Sequence, residues 1–294
     1  MGSPIHFSMV QLGTLLALAC ALATNVAMLC KHRGAVAAPP VRLGKPLQSV
    51  RALFRSKWWA IGFGIAIGAW TLHVAALAMA PISLVETTIS GGLVALAWLA
   101  ERWFGVRVGP REWLGLGLCA VGLALLAATS AGSGAGSANY STAAMISFEA
   151  GAVGTGALLL LHGTSGSVRR YTGPLLAIAA GLLLGVANVS VKALTGTVPG
   201  DLLSIVSPWT LAALVAGIGA FFGLARGLQL GEAISVIAIT AVAANCASVA
   251  GGVLVFGDPV GNDPIDVVAR CLAFVAVIVA VALMPAPRTA ATQA

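Results

Sequence analysis

The chain has 294 residues, of which 59% are hydrophobic and 9% are charged, with a formal net charge of +7. Soluble domains carry about 45–50% apolar and about 25% charged residues, so the charges here are too few to solvate a water-facing surface. That excludes a soluble enzyme, a disordered chain and a nucleic-acid-binding domain, and leaves an all-α polytopic membrane protein.

A helix crosses the hydrocarbon core with about 20 apolar residues. On that ruler the chain holds nine spans. The first covers 9–30 and ends in Lys31-His32-Arg33-Gly34. It is span-length and has no basic segment before it, unlike a cleavable signal peptide. The basic loop 31–57 follows. There Leu47, Val50, Leu53 and Phe54 lie about one helical turn apart, with Arg51, Arg55 and Lys57 between them. Two readings stay open, a surface helix on anionic lipid and plain disorder. Trp58 and Trp59 then fall at headgroup level, as an aromatic belt does. The apolar run 58–100 is divided by Pro81 into spans 58–80 and 82–103, because proline ends or kinks a helix. A fourth span, 113–130, precedes the Gly/Ser-rich stretch 131–141, which has the composition of a flexible linker. Spans 142–162, 174–194, 208–225, 232–256 and 266–284 complete the set, with 208–225 short and followed by Arg226.

Charge tests this count. Nine spans place 14 of the 16 Lys and Arg residues on one side, from Lys31 and Arg33 in the first loop to Arg288 in the tail. Lys192 and Arg270 sit near helix ends facing the other way, and Asp201, Asp258, Asp263 and Asp266 fall on that opposite side. An error of one span would scramble this segregation. The positive-inside rule then puts the N-terminus outside and the C-terminus in the cytoplasm of a cytoplasmic (inner) membrane.

The two halves resemble each other. At an offset of 160, Gly13, Leu15, Leu16, Ala17, Ala19 and Leu22 match Gly173, Leu175, Leu176, Ala177, Ala179 and Leu182. At an offset of 152, Ile82, Ser83 and Thr88 match Ile234, Ser235 and Thr240. Spans 1–4 therefore map onto spans 6–9. The odd fifth helix inverts the second set, the usual plan of secondary transporters, with the substrate site near the midplane. The organisation is a first repeat over 1–130, a linker and inverting helix over 131–173, and a second repeat over 174–294. Rows of small residues, Ala60-Gly64-Gly68, Gly181-Gly185 and Gly219-Gly223-Gly227, are expected to pack helices closely.

Several motifs carry a family resemblance. The first helix ends in Lys31-His32-Arg33-Gly34, the second runs into Ala80-Pro81-Ile82-Ser83-Leu84-Val85, the third ends in Ala100-Glu101-Arg102, and the fourth opens with Arg111-Glu112-Trp113-Leu114-Gly115. Gly231-Glu232-Ala233 and Val255-Phe256-Gly257-Asp258 echo them in the second half. The chain resembles the drug/metabolite transporter (EamA-like) superfamily, and in particular its nine-helix NIPA-like branch. That resemblance implies a membrane transporter. The branch is associated with magnesium, and its eukaryotic members carry an acidic residue after a glycine in the second helix. This sequence reads Gly68-Ala69-Trp70 there and has no acid.

Ionisable groups inside spans are costly and mark function by default. Here they are Glu86, Glu149, His73 and Lys192, all in the outer half of the bilayer by a rise of about 1.5 Å per residue. Glu86 shares a face with Ser83 and Ser90, and it has Lys192 or His73 as candidate ion-pair partners. Asn188, Asn25 and Asn245 are either ligands or helix–helix hydrogen bonds. Trp70 either stacks on substrate or fills the bundle. Desolvation disfavours a charged carboxylate and a nearby cation favours it, so Glu86 and Glu149 suit proton binding or, in a cation pathway, metal ligation. No catalytic residue is assigned. No Gly-x-x-x-x-Gly-Lys-[Ser/Thr] loop, His-Glu-x-x-His or Gly-x-Ser-x-Gly is present, so neither an ATPase nor a membrane hydrolase is indicated. The five cysteines, at 20, 30, 119, 246 and 271, lack paired spacing.

The sequence thus reads as a transporter of a small metabolite or drug-like solute by alternating access, with a proton-coupled mechanism compatible. Its rivals are a magnesium or divalent-cation transporter, a flippase for a lipid-linked intermediate, and a membrane scaffold for an enzyme. No cofactor is expected. Expected partners are a small-molecule or ion substrate and the bilayer, with anionic lipid at 31–57 and no nucleic acid. Monomer and homodimer both remain open.

Overall fold

In hydrocarbon a backbone must satisfy its own polar groups, and a helix does so within one segment. A computed structural model of the protein describes residues 9–79, 82–105, 108–130, 140–164, 171–195, 206–257 and 264–283. Among the described residues there are ten α-helices and no strand. They are α1 (Met9–Ala37), α2 (Pro46–Arg55), α3 (Lys57–Met79), α4 (Ile82–Phe104) and α5 (Pro110–Ser130), then α6 (Thr142–Thr164), α7 (Thr172–Thr195), α8 (Pro208–Leu230), α9 (Ala233–Phe256) and α10 (Pro264–Leu283). Among the described residues, six helices are long and apolar enough to cross a membrane: α1, α3, α6, α7, α8 and α9. The outward surface of these helices is itself apolar. Leu15, Leu18, Ile61, Ile67, Leu158, Leu161, Leu211 and Leu214 are all exposed. Water would not tolerate so continuous an apolar surface, and lipid does. The chain is a multi-pass membrane protein.

The long helices fall where spans are predicted, but two run further. The first extends seven residues past its predicted end at 30, to Ala37. Lys, His and Arg do not break a helix, whereas Pro39 and Pro40 do, and the residue before a proline is pushed out of the helical region. The predicted span 208–225 continues to Leu230. Ser207 caps its start by accepting the Thr210 backbone N–H, Pro208 occupies the first turn, and nothing breaks it before Gly231. The basic loop contains a helix rather than disorder. This is α2, whose Leu53 and Ser49 are buried against the protein. The linker residues 131–139, the loop acids Asp201, Asp258 and Asp263, and the loop arginines Arg107, Arg169, Arg170 and Arg288 lie outside the described residues.

Packing follows the small residues, with one correction. On α3 the buried face carries Trp59, Gly62, Ala69 and Ala76. The row Ala60-Gly64-Gly68 lies on the exposed side, and a Cβ at Gly64 or Gly68 would meet nothing within 4 Å. The row was real in sequence but sits on the wrong side of the helix. Trp59 is likewise core rather than belt, 1% exposed and edge-on to Phe221 at 5.6 Å between ring centroids. Trp58 keeps the exposed position, with Arg33 at 4.8 Å over its ring. On α7, Gly181 and Gly185 do pack tightly, against Ala243 and Ala247 of α9.

The strongest helix pairings are α1 with α3 and α4, α7 with α8 and α9, α4 with α5, and α5 with α10. Ala21 and Gly92, at the α1–α4 crossing, map through the sequence offsets onto Gly181 and Ala244, at the α7–α9 crossing. Both pairs touch closely: a Cβ at Gly92 would lie 2.7 Å from the Ala21 Cβ, and one at Gly181 would lie 3.0 Å from the Ala244 nitrogen. The main hydrophobic cluster joins the two halves, with Leu29, Leu53, Trp59, Leu96 and Leu116 meeting Phe222, Leu228 and Val236.

One polar clamp holds the start of the loop. The Gln229 amide donates to the carbonyls of Ala35 at 2.9 Å and Pro39 at 3.0 Å, and its oxygen accepts from the Val41 N–H at 2.9 Å. Arg226 donates to the same oxygen at 3.2 Å. These bonds tie the chain leaving α1 to the end of α8, and the Ala35 carbonyl also accepts from the Ala38 N–H at 3.2 Å. Gln229→Ala is expected to cost about 1–3 kcal/mol and to raise amide hydrogen exchange over 38–45. Unchanged exchange there would contradict this role.

Candidate functional site

Three of the sequence candidates converge. A cavity of about 400 Å³ opens between α1, α3, α4 and α7, lined by Thr24 and Lys31 of α1, Trp70 and His73 of α3, Ile89 of α4 and Asn188 of α7. His73 lies one turn beyond Trp70, at the spacing that stacks residues on one helix face. Trp70 is 67% exposed, so its ring forms a wall rather than part of the core. The Asn188 amide donates to Ser248 Oγ at 3.2 Å, which leaves its carbonyl oxygen as the acceptor it offers the cavity. Lys31 is half-buried at the cavity, its ammonium 5.7 Å from the Phe63 ring centroid. The cavity is therefore walled from both halves of the chain and carries a hydroxyl, an imidazole, an amide and an ammonium. Ala69, which stands where the family resemblance implies an acid, is also on its wall.

Glu149 is elsewhere. It is buried on α6 and accepts from Ser190 Oγ of α7 at 2.6 Å. The same hydroxyl lies 2.9 Å from the Val186 carbonyl oxygen. A hydroxyl has one hydrogen and cannot donate fully to both. Ser190 and Asn188 are two residues apart and so point about 200° apart on the helix. One face of α7 thus meets the cavity and the other meets Glu149.

Asn25, Asn245 and Lys192 do not join either group. Asn25 is buried and donates to the Gly92 carbonyl at 2.6 Å, a helix–helix bond between α1 and α4. Asn245 donates within α9 to Ala241 at 2.9 Å. Lys192 holds its ammonium 4.3 Å from the Phe256 ring centroid, beside an aromatic cluster of Tyr140, Trp209 and Phe256. Glu86 lies on α4, one turn before Ile89, and its side chain, with those of Ser83 and Ser90, lies outside the described residues. Among the described residues no three His, Cys, Asp or Glu side chains cluster as a metal site. The resemblance motifs Glu101 and Glu112 fasten a loop: Glu101 accepts from Val108 N at 3.2 Å and Glu112 from Gly109 N at 2.7 Å, the latter as a helix-start capping contact.

Sequence reasoning missed Thr24, Ser190 and Gln229. A hydroxyl or an amide in a span carries no hydropathy signal that separates a ligand from a packing residue. Position is what distinguishes these three.

No protein-family model and no solved structure matches the chain. It is similar to the probable magnesium transporter NIPA9 of Arabidopsis thaliana, 24% identical over 285 residues that cover 92% of this chain and 80% of that protein. The chain is a multi-pass membrane protein with a distant likeness to a NIPA magnesium transporter.

Proposed function

We propose that the chain is a secondary transporter that carries a small solute across the cytoplasmic membrane by alternating access. The observation that carries this reading is the cavity, where Trp70 and His73 of the first half face Asn188 of the second. A rocking motion of one half against the other opens such a cavity to each side in turn. In this reading α2 is interfacial and the other nine helices are spans, with the N-terminus outside and the C-terminus inside. The segregated Lys and Arg residues support that topology. The matched crossings of α1–α4 and α7–α9 support a first repeat over 1–130, an inverting α6, and a second repeat over 174–294. Asn188, His73 and Trp70 contact the solute, while Glu149, with Glu86 as the other membrane acid, carries the coupling proton. Asn25, Asn245 and Lys192 position helices.

A second reading, magnesium as the solute, is favoured by the likeness to NIPA9. Magnesium sheds its water reluctantly. It would pass hydrated, its waters held by Thr24 and Asn188. Thermal melting of the purified protein with metabolites and with divalent cations is the first test. The ligand class that stabilises it is expected to lose that effect in Asn188→Leu. Rescue of a magnesium-starved strain by the wild-type chain would support the second reading. Stabilisation that survives Asn188→Leu unchanged would contradict the cavity as the binding site.

A further inference from the structure

We infer that α2 and its flanks form a binding site for an anionic glycerophospholipid, independent of the solute cavity. The helix is amphipathic in an unusual way. Its buried edge, Ser49 and Leu53, rests on the protein, while Leu47 is 85% exposed and Phe54 stands partly exposed beside it. Next to that apolar edge lies a groove of about 550 Å³, walled by Leu47 and Phe54 of α2, Phe63 of α3, and Leu214 and Ile218 of α8. The groove lining has no polar side chain to orient a soluble ligand, and its apolar walls suit an acyl chain.

The charge on the other flank names the headgroup. A second cavity, of about 630 Å³, lies between α2 and the Ala37–Pro39 segment, and it is lined by Arg51 and Arg55. Arg51 follows Val50 on the groove side and sits between the two cavities around the helix. The stretch 31–57 carries seven Lys and Arg residues and no Asp or Glu. Guanidinium groups grip phosphate oxygens in a bidentate fork. An apolar slot and a two-arginine pocket on either side of one interfacial helix are complementary to one acyl chain and one phosphodiester. An inorganic phosphate would use only the second, and a zwitterionic lipid would cancel much of the attraction. The groove walls come from both halves, α3 and α8, so an occupant would touch the surfaces that move apart in alternating access.

The test is native mass spectrometry of the full purified chain in mixed micelles of equimolar phosphatidylglycerol and phosphatidylcholine. Wild type is expected to retain phosphatidylglycerol in preference. Arg51→Ala with Arg55→Ala is expected to lower that preference about 30-fold, equivalent to about 1 kcal/mol for each arginine near an anionic surface. Ile218→Trp, which fills the slot, is expected to lower retention of both lipids while the melting temperature holds. Equal retention of both lipids by wild type, or an unchanged preference in the double arginine variant, would overturn the site. So would full displacement of the lipid by inorganic phosphate. None of these three outcomes decides solute transport, which is read separately in vesicles.

Discussion

Gly34→Leu and Gly62→Leu are each expected to loosen the pairing of α1 with α3 and to lower the melting temperature in detergent by several degrees. A Cβ at Gly34 would lie 2.4 Å from the Trp59 nitrogen and 2.8 Å from its Cα. One at Gly62 would lie 2.6 Å from the Ala27 carbonyl oxygen and 2.9 Å from the Lys31 nitrogen. These are backbone atoms and cannot swing aside as a side chain does. The contact is reciprocal, since each helix presents a glycine to the other's backbone. Overpacking a core site costs about 1–3 kcal/mol, occasionally more, and the rigid neighbours put these sites at the upper end. A chain stable by about 5–15 kcal/mol has little margin for such a loss. Gly64→Leu and Gly68→Leu are the controls. A Cβ at either meets open space, so both are expected to melt near wild type, apart from a small gain in helix propensity. Equal melting temperatures for all four variants would remove the close α1–α3 approach from the account.

Glu149→Gln is expected to end proton-driven accumulation while leaving solute exchange and folding intact. The amide is nearly isosteric with the acid and keeps an oxygen that accepts from Ser190 Oγ. The packing of α6 on α7 is kept. What the amide cannot do is release a proton. Glu149→Ala differs: it leaves a small cavity and removes a hydrogen-bond partner from Ser190, a loss of about 1–3 kcal/mol. The α9 helix, which packs against both α6 and α7, carries no Asp, Glu, Lys or Arg. Counterflow in vesicles without a pH gradient separates the two activities. Gradient-driven accumulation by Glu149→Gln at the wild-type level would remove Glu149 from the coupling.

Much of the fold was legible because hydrophobic length is a strong signal. Each long helix lies on an apolar run that the sequence displays openly. Errors came where charge was taken as an end. Lys31, His32 and Arg33 look like a loop but continue α1, because none of them breaks a helix and the first breakers are Pro39 and Pro40. The α3 row of small residues was misplaced because spacing gives a face without saying which way the face turns. Trp59 and Trp58 are neighbours in sequence and opposites in burial for the same reason. The amphipathic period of α2 was visible, but it left a surface helix and disorder both open, because whether so short a helix forms depends on what its apolar edge packs against.

The site was legible as a set of suspects and not as a place. His73, Trp70 and Asn188 stood out as polar or aromatic groups in apolar spans, but Asn188 is over a hundred residues from the others and no spacing joins them. Their meeting is a product of how the bundle places α7 across the cavity from α1 and α3. Glu149 stood out as a membrane acid, yet its bond to Ser190 depends on the register between α6 and α7. Asn25 looked as promising as Asn188 and proves to be a strut on the Gly92 carbonyl.

The central claim is that solute crosses through the cavity between the halves. Its most direct test is mass spectrometry of the contents of sealed proteoliposomes after incubation with magnesium and a mixture of small metabolites. At least one solute is expected to accumulate above protein-free vesicles, and that accumulation is expected to vanish in the His73→Leu, Asn188→Leu double variant. Contents identical to those of protein-free vesicles, or full accumulation by the double variant, would contradict it.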